Sequence, residues 1–195
     1  MIRGAKFWND RNKAYFVQTN NPTEQLLKKR KEESWLESCG PTAAINCLAA
    51  RGGNLEIKTP GSYRPQPEEV LMDYFNDPRN KPALDDVRIV DGDIPGNRVP
   101  QFYPIAVYEV FGVKAWFCWR LSFDDVAGHI LEYSPVQICL KEPRHYVAVV
   151  AYDNVKKELI YNDSWPDRFP DKNGFNRRMT EEEFSSNVQS FFIVY

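Results

Sequence analysis

Cysteine and histidine could supply covalent or acid–base chemistry in this chain, and both are scarce. Cysteines occupy positions 39, 47, 118 and 139, and the two histidines are His129 and His145. No cysteines form a CxxC pair, and a metal site with so few histidines would need scattered carboxylates, so zinc-ribbon and thioredoxin-type sites are not expected. Either all four cysteines are buried structural thiols, or one of them is a nucleophilic thiolate that needs a histidine as its base.

Cys39 lies at the predicted start of a helix over residues 39–50. The boundary signals are an N-cap residue, a proline in the first turn and glycines after the end: Ser38, Pro41, Gly52 and Gly53. Free N–H groups and the positive end of the helix dipole lower the pKa of a thiol there. Position alone leaves a reactive thiol and a packing residue as alternatives. The other three cysteines are predicted to be packing residues: Cys47, Cys118 and Cys139.

Of the two histidines, His145 is better placed to act as a base. It begins a predicted strand over residues 145–152 and follows a loop, so its side chain can face a cleft. His129 lies inside a predicted helix, where a structural or surface role is expected.

A carboxylate in the next predicted strand could orient the imidazole of His145. If Tyr152 lies opposite Glu158, then His145 and Asp163 share a face of the sheet as diagonal neighbours, about 7–8 Å apart at Cα. A shift of one residue would put them on opposite faces. A turn-forming role for Asp163 at the end of its strand is the alternative.

Helical patterns dominate the first part of the chain, and period-two patterns follow Pro135. The first part has a predicted hairpin over 5–18 with its turn at 9–12, a strand over 113–119, and helices over 23–33, 39–50, 68–74, 100–111 and 122–132, the last of them capped by Ser122. The second part has predicted strands over 136–141, 145–152 and 158–162, then a short strand, a helix opened by a Thr180–Glu183 capping box, and a strand over 191–195. This order predicts an α+β fold in which N-terminal helices pack on a C-terminal antiparallel sheet. We expect a single domain over residues 1–195.

Composition excludes several classes of protein. The 195 residues are 43% hydrophobic and 14% aromatic, which excludes global disorder. Lys and Arg number 25 against 27 Asp and Glu, so there is no basic excess of the kind that nucleic-acid binding requires. The basic run at 28–31 is followed at once by Glu32 and Glu33, which favours a solvated helix face over a nucleic-acid or membrane patch. No signal-peptide or membrane-spanning pattern is present, and a cytoplasmic location is expected.

Three segments carry a family resemblance. Residues 37–44 read Glu-Ser-Cys-Gly-Pro-Thr-Ala-Ala, residues 144–153 read Arg-His-Tyr-Val-Ala-Val-Val-Ala-Tyr-Asp, and residues 161–165 read Tyr-Asn-Asp-Ser-Trp. In this order they resemble the nucleophile, base and acid segments of bacteriocin-leader-peptidase-like (C39-like) cysteine peptidases, a papain-like group found in bacteria and phages. The resemblance implies a papain-like fold and a Cys39–His145–Asp163 triad that cleaves an amide through a thioester, without a metal or cofactor.

This chain departs from the family pattern in two places. The family's Asn-Asp-Pro is here Asn-Asp-Ser, with Ser164 in place of the proline. The family's oxyanion-hole glutamine lies upstream of the cysteine. Leader peptidases have it at the position where this chain has Glu33. A phage-associated subgroup has a glutamine further upstream before an Asn-containing turn, which residues 18–21 resemble. Gln18 is therefore the first candidate for the oxyanion hole and Gln25 the second, with a surface role as the alternative.

The same resemblance assigns residues to the substrate side of the site. Gly40 belongs to the nucleophile motif, Trp35 can line the cleft or join two helices, and Trp165 can cover the His–Asp pair or be ordinary core. The implied substrate is a peptide, a protein or peptidoglycan. Two alternatives in function stay open: a catalytically inactive papain-like binding domain, and an acyltransferase that passes the acyl group to an amine.

Overall fold

The strands form one antiparallel sheet. A computed structural model describes residues 1–20, 38–55, 66–80 and 99–195. Its strands are β1 (Ile2–Gly4), β2 (Trp116–Trp119), β3 (Val136–Leu140), β4 (His145–Asp153), β5 (Glu158–Asn162), β6 (Arg177–Thr180) and β7 (Val188–Val194). Their order across the sheet is β2-β7-β3-β4-β5-β6, and β1 pairs with β4. Every one of these pairs is antiparallel.

Helices cover both faces of this sheet. They are α1 (Arg11–Ala14), α2 (Cys39–Arg51), α3 (Pro67–Asn76), α4 (Tyr103–Phe111), α5 (Phe123–Leu131) and α6 (Glu181–Asn187). One hydrophobic cluster joins α2, α3 and α4 to the sheet, and a second joins α5 and α6 to the opposite face. The sheet therefore lies between two layers of helix.

Strand β4 occupies the centre of the molecule. All nine of its residues are buried, and its run of Val, Ala and Tyr is typical of a strand that is covered on both faces. Ala148 and Val150 belong to the cluster that contains α2, whereas Val147 and Val149 belong to the cluster that contains α5. Because the buried side of α2 is rich in alanine, the helix can approach the sheet closely.

The predicted α+β architecture is confirmed, with the N-terminal helices on an antiparallel sheet. The predicted caps at Ser122 and Thr180 are also confirmed, since these side chains each accept a hydrogen bond from the N–H three residues on. The predicted helix over 23–33 lies outside the described residues.

The predicted hairpin over residues 5–18 is wrong. Asp10, expected in its turn, instead caps α1, with its side chain accepting from the N–H of Lys13 at 3.2 Å. Residues 15–17, expected to form its second strand, pair with no strand among the residues that the structure describes. The N–H of Phe16 donates to the Asn46 side chain at 2.6 Å, and that side chain donates to the Phe16 carbonyl at 3.2 Å. A helix side chain therefore takes the place of a partner strand.

The register between β4 and β5 differs from the prediction at one end and agrees with it at the other. Tyr152 lies opposite Leu159, one residue away from the predicted Glu158. A β-bulge between Val149 and Ala151 then shifts the pairing, so that Ala148 lies opposite Asn162. An extra residue in one strand reverses the faces of everything beyond it. The bulge therefore restores the predicted register where β5 approaches Asp163.

The loop after β5 depends on a close approach at Gly174. The N–H of Asp163 donates to the Gly174 carbonyl at 2.8 Å. A Cβ added at Gly174 would overlap the carbonyl oxygen of Asp163 and lie 2.5 Å from the Tyr15 hydroxyl oxygen. Tyr15 also donates its hydroxyl to that carbonyl at 2.9 Å, so neither neighbour can move without losing a hydrogen bond.

We expect Gly174→Ala to lower the free energy of unfolding by about 1–3 kcal/mol, because the added methyl group overpacks a closed site. Urea unfolding of both proteins measures the change. Gly128 in α5 provides the matched control, since a Cβ there meets nothing within 4 Å. Gly128→Ala should stabilise the protein by about 0.5–1 kcal/mol through helix propensity. Equal effects of the two substitutions would contradict the close approach at Gly174.

Candidate active site

Cys39 is the first residue of α2 and is partly exposed. Ser38 occupies the predicted N-cap position, but its side chain does not make the capping hydrogen bond. Its carbonyl instead accepts from the N–H of Thr42 at 2.9 Å and from the Thr42 hydroxyl at 2.8 Å. These two bonds close the first turn of α2, and Cys39 is the first residue of that turn.

His145 and Asp163 form a buried pair. Their side chains are 3% and 0% exposed, and Nε2 of His145 lies 2.7 Å from Oδ1 of Asp163. The imidazole also lies close enough to the Cys39 thiol for each group to shift the pKa of the other. The structure therefore brings three of the predicted site residues into one chain of contacts, from thiol to imidazole to carboxylate.

Further donors surround the Asp163 carboxylate. The N–H of Trp165 donates to Oδ1 at 2.9 Å, and Nη1 of Arg168 donates to Oδ2 at 3.0 Å. With His145, these groups give the buried carboxylate three hydrogen-bond partners, as a buried charge requires. Asp163 is held in this orientation from three directions.

The electrostatics of Cys39 and His145 are coupled. Burial raises the pKa of the Cys39 thiol, but the hydrogen bond and charge of His145, with the N–H groups of Tyr146 and Gly40, bring that pKa below its ordinary value of 9.0. Burial lowers the pKa of His145, but hydrogen bonds to Asp163 and Cys39 and the charges of both raise it to about 9. Both directions favour a thiolate beside an imidazolium, the reactive form of a cysteine.

The other cysteines differ from Cys39. Burial raises the pKa of Cys47 well above its ordinary value, that of Cys139 to about 12, and that of the partly exposed Cys118. A protonated thiol is a poor nucleophile, so the predicted packing role of these three residues agrees with their surroundings.

Gln18 lies beside the residue that follows Asp163. It is 4% exposed, and its N–H donates to the Ser164 carbonyl at 3.0 Å. The Ser164 hydroxyl donates to Oε1 of Gln18 at 2.7 Å. The first-choice glutamine is therefore attached to the loop that carries Asp163, whereas Gln25 lies outside the described residues.

The residues predicted for the substrate side differ in their surroundings. The Trp165 ring lies edge-on to the His145 ring, with 5.9 Å between centroids, and so covers one side of the imidazole. Gly40 is buried, and its carbonyl accepts from Nε2 of Gln137 at 3.1 Å. Trp35 lies outside the described residues.

Several polar residues around the site were not predicted from the sequence. Asn46, Gln137 and Asn162 are fully buried. Asn162 donates to the Ala14 carbonyl at 3.0 Å and accepts from the N–H of Asn176 at 3.1 Å. The available signal was an amide residue inside an otherwise apolar helix or strand, since a buried amide must find hydrogen-bond partners.

In residues 1–20, 38–55, 66–80 and 99–195, no group of three or more His, Cys, Asp and Glu side chains could hold a metal ion. None of the helices in these same ranges is long and apolar enough to cross a bilayer.

Comparison with known proteins identifies the family. A sequence profile of the Peptidase C39 like family matches residues 12–188, and the chain belongs to this family. A protein described as a C39-like peptidase from Bacillus anthracis is 12% identical, with 99% of this chain and 96% of that chain covered and a TM-score of 0.53. A double-glycine-motif protease from an AMS/PCAT transporter, solved with the leader peptide, is 13% identical, with 83% and 85% covered and a TM-score of 0.44. A search of curated proteins finds no match.

Two expectations are thereby confirmed: membership of the C39-like peptidases and a papain-like α+β fold. The distant structural similarity concerns the fold alone.

Iodoacetamide alkylation should separate Cys39 from Cys118, the other partly exposed cysteine. At about pH 6 we expect Cys39 to react much faster, because only its pKa is lowered. Asp163→Asn removes a charge that raises the pKa of His145. The imidazolium then stabilises the Cys39 thiolate over a narrower pH range, so the pH profile of Cys39 alkylation moves to higher pH. Peptide mass spectrometry across a pH series gives both rates.

The matched control is Asp171→Asn, since Asp171 is an exposed carboxylate paired with Arg177. It should leave the Cys39 profile unchanged. The same pH profile for Cys39 and Cys118 in the unmodified protein would show that His145 does not activate the thiol.

Proposed function

We propose that the protein is a cysteine peptidase or amidohydrolase in which Cys39 is the nucleophile, His145 the general base and acid, and Asp163 the residue that orients His145. The observation that carries this proposal is the contact chain from a partly exposed thiol through a buried imidazole to a buried carboxylate. The raised pKa of His145 and the lowered pKa of Cys39 support it. Membership of a peptidase family supports the choice of an amide substrate.

Acylation begins when the Cys39 thiolate attacks the amide carbon and a C–S bond forms. The carbonyl oxygen becomes negatively charged, and we assign its stabilisation to the N–H of Cys39 and the Nε2 group of Gln18. As the C–N bond breaks, the His145 imidazolium gives its proton to the departing amine. A thioester between Cys39 and the acyl group is left, with His145 neutral.

Deacylation uses the same residues in reverse roles. Neutral His145 takes a proton from water, and the resulting hydroxide attacks the thioester carbon. The C–S bond then breaks, releasing a carboxylic acid and restoring the thiolate beside the imidazolium. The Asp163 carboxylate stabilises the imidazolium at both stages, and the Trp165 ring shields its hydrogen bond to His145.

The proposed substrate is a peptide bond, in a peptide, a protein or peptidoglycan. Neither a metal nor a cofactor takes part in the proposed steps. If added amines replace water in the second stage, amide products appear instead of acids, and product analysis separates hydrolysis from acyl transfer.

Cys39→Ala should abolish hydrolysis of a peptide library and leave thermal unfolding close to that of the unmodified protein, because the residue is small and lies at the end of a helix. Cys47→Ala is the matched control within the same helix. It should keep its activity and lose stability through a cavity in the core. Turnover by the folded Cys39→Ala variant would exclude the proposed mechanism.

Gln18→Ala should lower kcat by about 10²–10³ with little change in KM, because the lost donor acts on charge that develops only in the transition state. Steady-state kinetics on any peptide that the unmodified protein cleaves gives both constants. Gln25→Ala, at the second candidate position, should have little effect. A larger fall in kcat for Gln25→Ala than for Gln18→Ala would reverse the assignment.

A further inference from the structure

Ser164 is the residue at which this chain departs from the family's Asn-Asp-Pro pattern, and it is fully buried. It directly follows Asp163, so two successive residues of one loop contact two different parts of the site. Asp163 holds His145 through a 2.7 Å hydrogen bond, and Ser164 holds Gln18 through another of 2.7 Å. Nothing in the proposed chemistry accounts for the Ser164 hydroxyl.

A glutamine amide has two ends of nearly the same shape and opposite chemistry. The oxygen end accepts hydrogen bonds, and the nitrogen end donates them. Only the nitrogen end can stabilise a negatively charged oxygen, whereas the oxygen end would repel it. A glutamine that acts as an oxyanion donor therefore needs a contact that fixes which end of its amide faces the oxyanion.

The Ser164 hydroxyl supplies that contact. Within the residues that the structure describes, Oε1 of Gln18 is the one hydrogen-bond partner of the Ser164 hydroxyl. If the amide were reversed, the nitrogen would donate to the hydroxyl oxygen, and the hydroxyl proton would be left in a buried site without an acceptor. An unsatisfied buried donor costs free energy. The hydroxyl therefore donates, and the oxygen end of Gln18 faces Ser164.

The main chain holds the pair in place. The N–H of Gln18 donates to the Ser164 carbonyl at 3.0 Å, so the two residues are joined by one backbone and one side-chain hydrogen bond. The backbone bond fixes the distance between them and does not depend on the Ser164 side chain. Removing the hydroxyl therefore removes the bond that fixes the oxygen end of the amide and keeps the backbone bond between Gln18 and Ser164.

We propose that Ser164 is a positioning residue that orients the Gln18 amide, turning its Nε2 end away from Ser164 and toward the developing oxyanion. This inference rests on the proposed role of Gln18 in hydrolysis. A proline at this position could not replace the hydroxyl, so the departure from Asn-Asp-Pro has a function in this chain.

The test is a double-mutant cycle with Ser164→Ala and Gln18→Ala, on a peptide that Cys39→Ala does not cleave. Ser164→Ala should lower kcat by roughly 10- to 100-fold, less than the roughly 10²–10³ of losing the donor, with KM little changed. In the double variant kcat should equal that of Gln18→Ala, because Ser164 acts only through Gln18. Ser186→Ala, an exposed serine in α6 whose hydroxyl donates to the Glu182 carbonyl, is the control and should keep its full kcat.

Alkylation of Cys39 separates positioning from general damage to the site. Ser164→Ala should leave the rate and pH profile of this reaction unchanged, because no oxyanion forms in it and the His145–Asp163 bond is intact. A profile shifted as in Asp163→Asn would mean that Ser164 acts through its neighbour Asp163, and would overturn the inference. If Ser164→Ala does not fold, the same cycle with Ser164→Cys, which has similar size and a weaker donor, decides the question.

The outcomes distinguish this inference from the proposed function. If Gln18→Ala lowers kcat and Ser164→Ala keeps its full kcat, only the role of Ser164 is overturned. Equal fold losses from Ser164→Ala in the presence and absence of Gln18 also overturn it. A full kcat in Gln18→Ala overturns the oxyanion role and this inference together, while leaving the nucleophile to the separate Cys39→Ala test.

Discussion

The hydrogen bond between His145 and Asp163 joins two ionisable groups that are almost wholly removed from water. Much of the surrounding structure replaces the hydration that these groups lose. A buried charge is stable only when hydrogen bonds and opposite charge replace its hydration. Asp163 obtains these from His145, the N–H of Trp165 and the guanidinium of Arg168. His145 comes from β4, whereas Trp165 and Arg168 follow Asp163 in the same loop, so the pair can form only if strand register and loop path are both correct.

The segment from residue 14 to residue 18 ties the parts of the site together. The Ala14 carbonyl accepts a hydrogen bond from the Asn162 side chain. The Phe16 main chain forms two hydrogen bonds with the Asn46 side chain in α2, and the Gln18 side chain accepts one from the Ser164 hydroxyl. One extended stretch thereby connects the helix that carries the thiol to the loop that carries the carboxylate. Polar side chains make these connections because, in the described part of the chain, no strand pairs with this stretch to satisfy its main chain.

Sequence reasoning predicted the parts of the fold that depend on local patterns. The helix at Cys39, the caps at Ser122 and Thr180 and the central strands follow from periodicity and boundary residues, and they are present. The β-bulge between Val149 and Ala151 was missed, because a bulge depends on what packs against both faces of a strand.

The predicted meeting of His145 and Asp163 therefore came from a register that is wrong at Tyr152 and right at Ala148. The amides of Asn46 and Gln137 show the same limit. Their types are visible in the sequence, but their partners lie 30 and 97 residues away, at Phe16 and Gly40. Partners this distant along the chain cannot be read from local pattern.

Cys39 and Cys47 show that the surroundings of a thiol decide its chemistry. Both lie in α2, and burial raises the pKa of each. Cys47 has only that effect and stays a protonated thiol. At Cys39 this effect is opposed first by the hydrogen bond and charge of His145 and then by the N–H groups of Tyr146 and Gly40, so β4 as well as the start of α2 lowers the pKa. The lowered pKa of Cys39 depends on β4 bringing His145 to the start of α2, which in turn depends on how the helix packs across the strand.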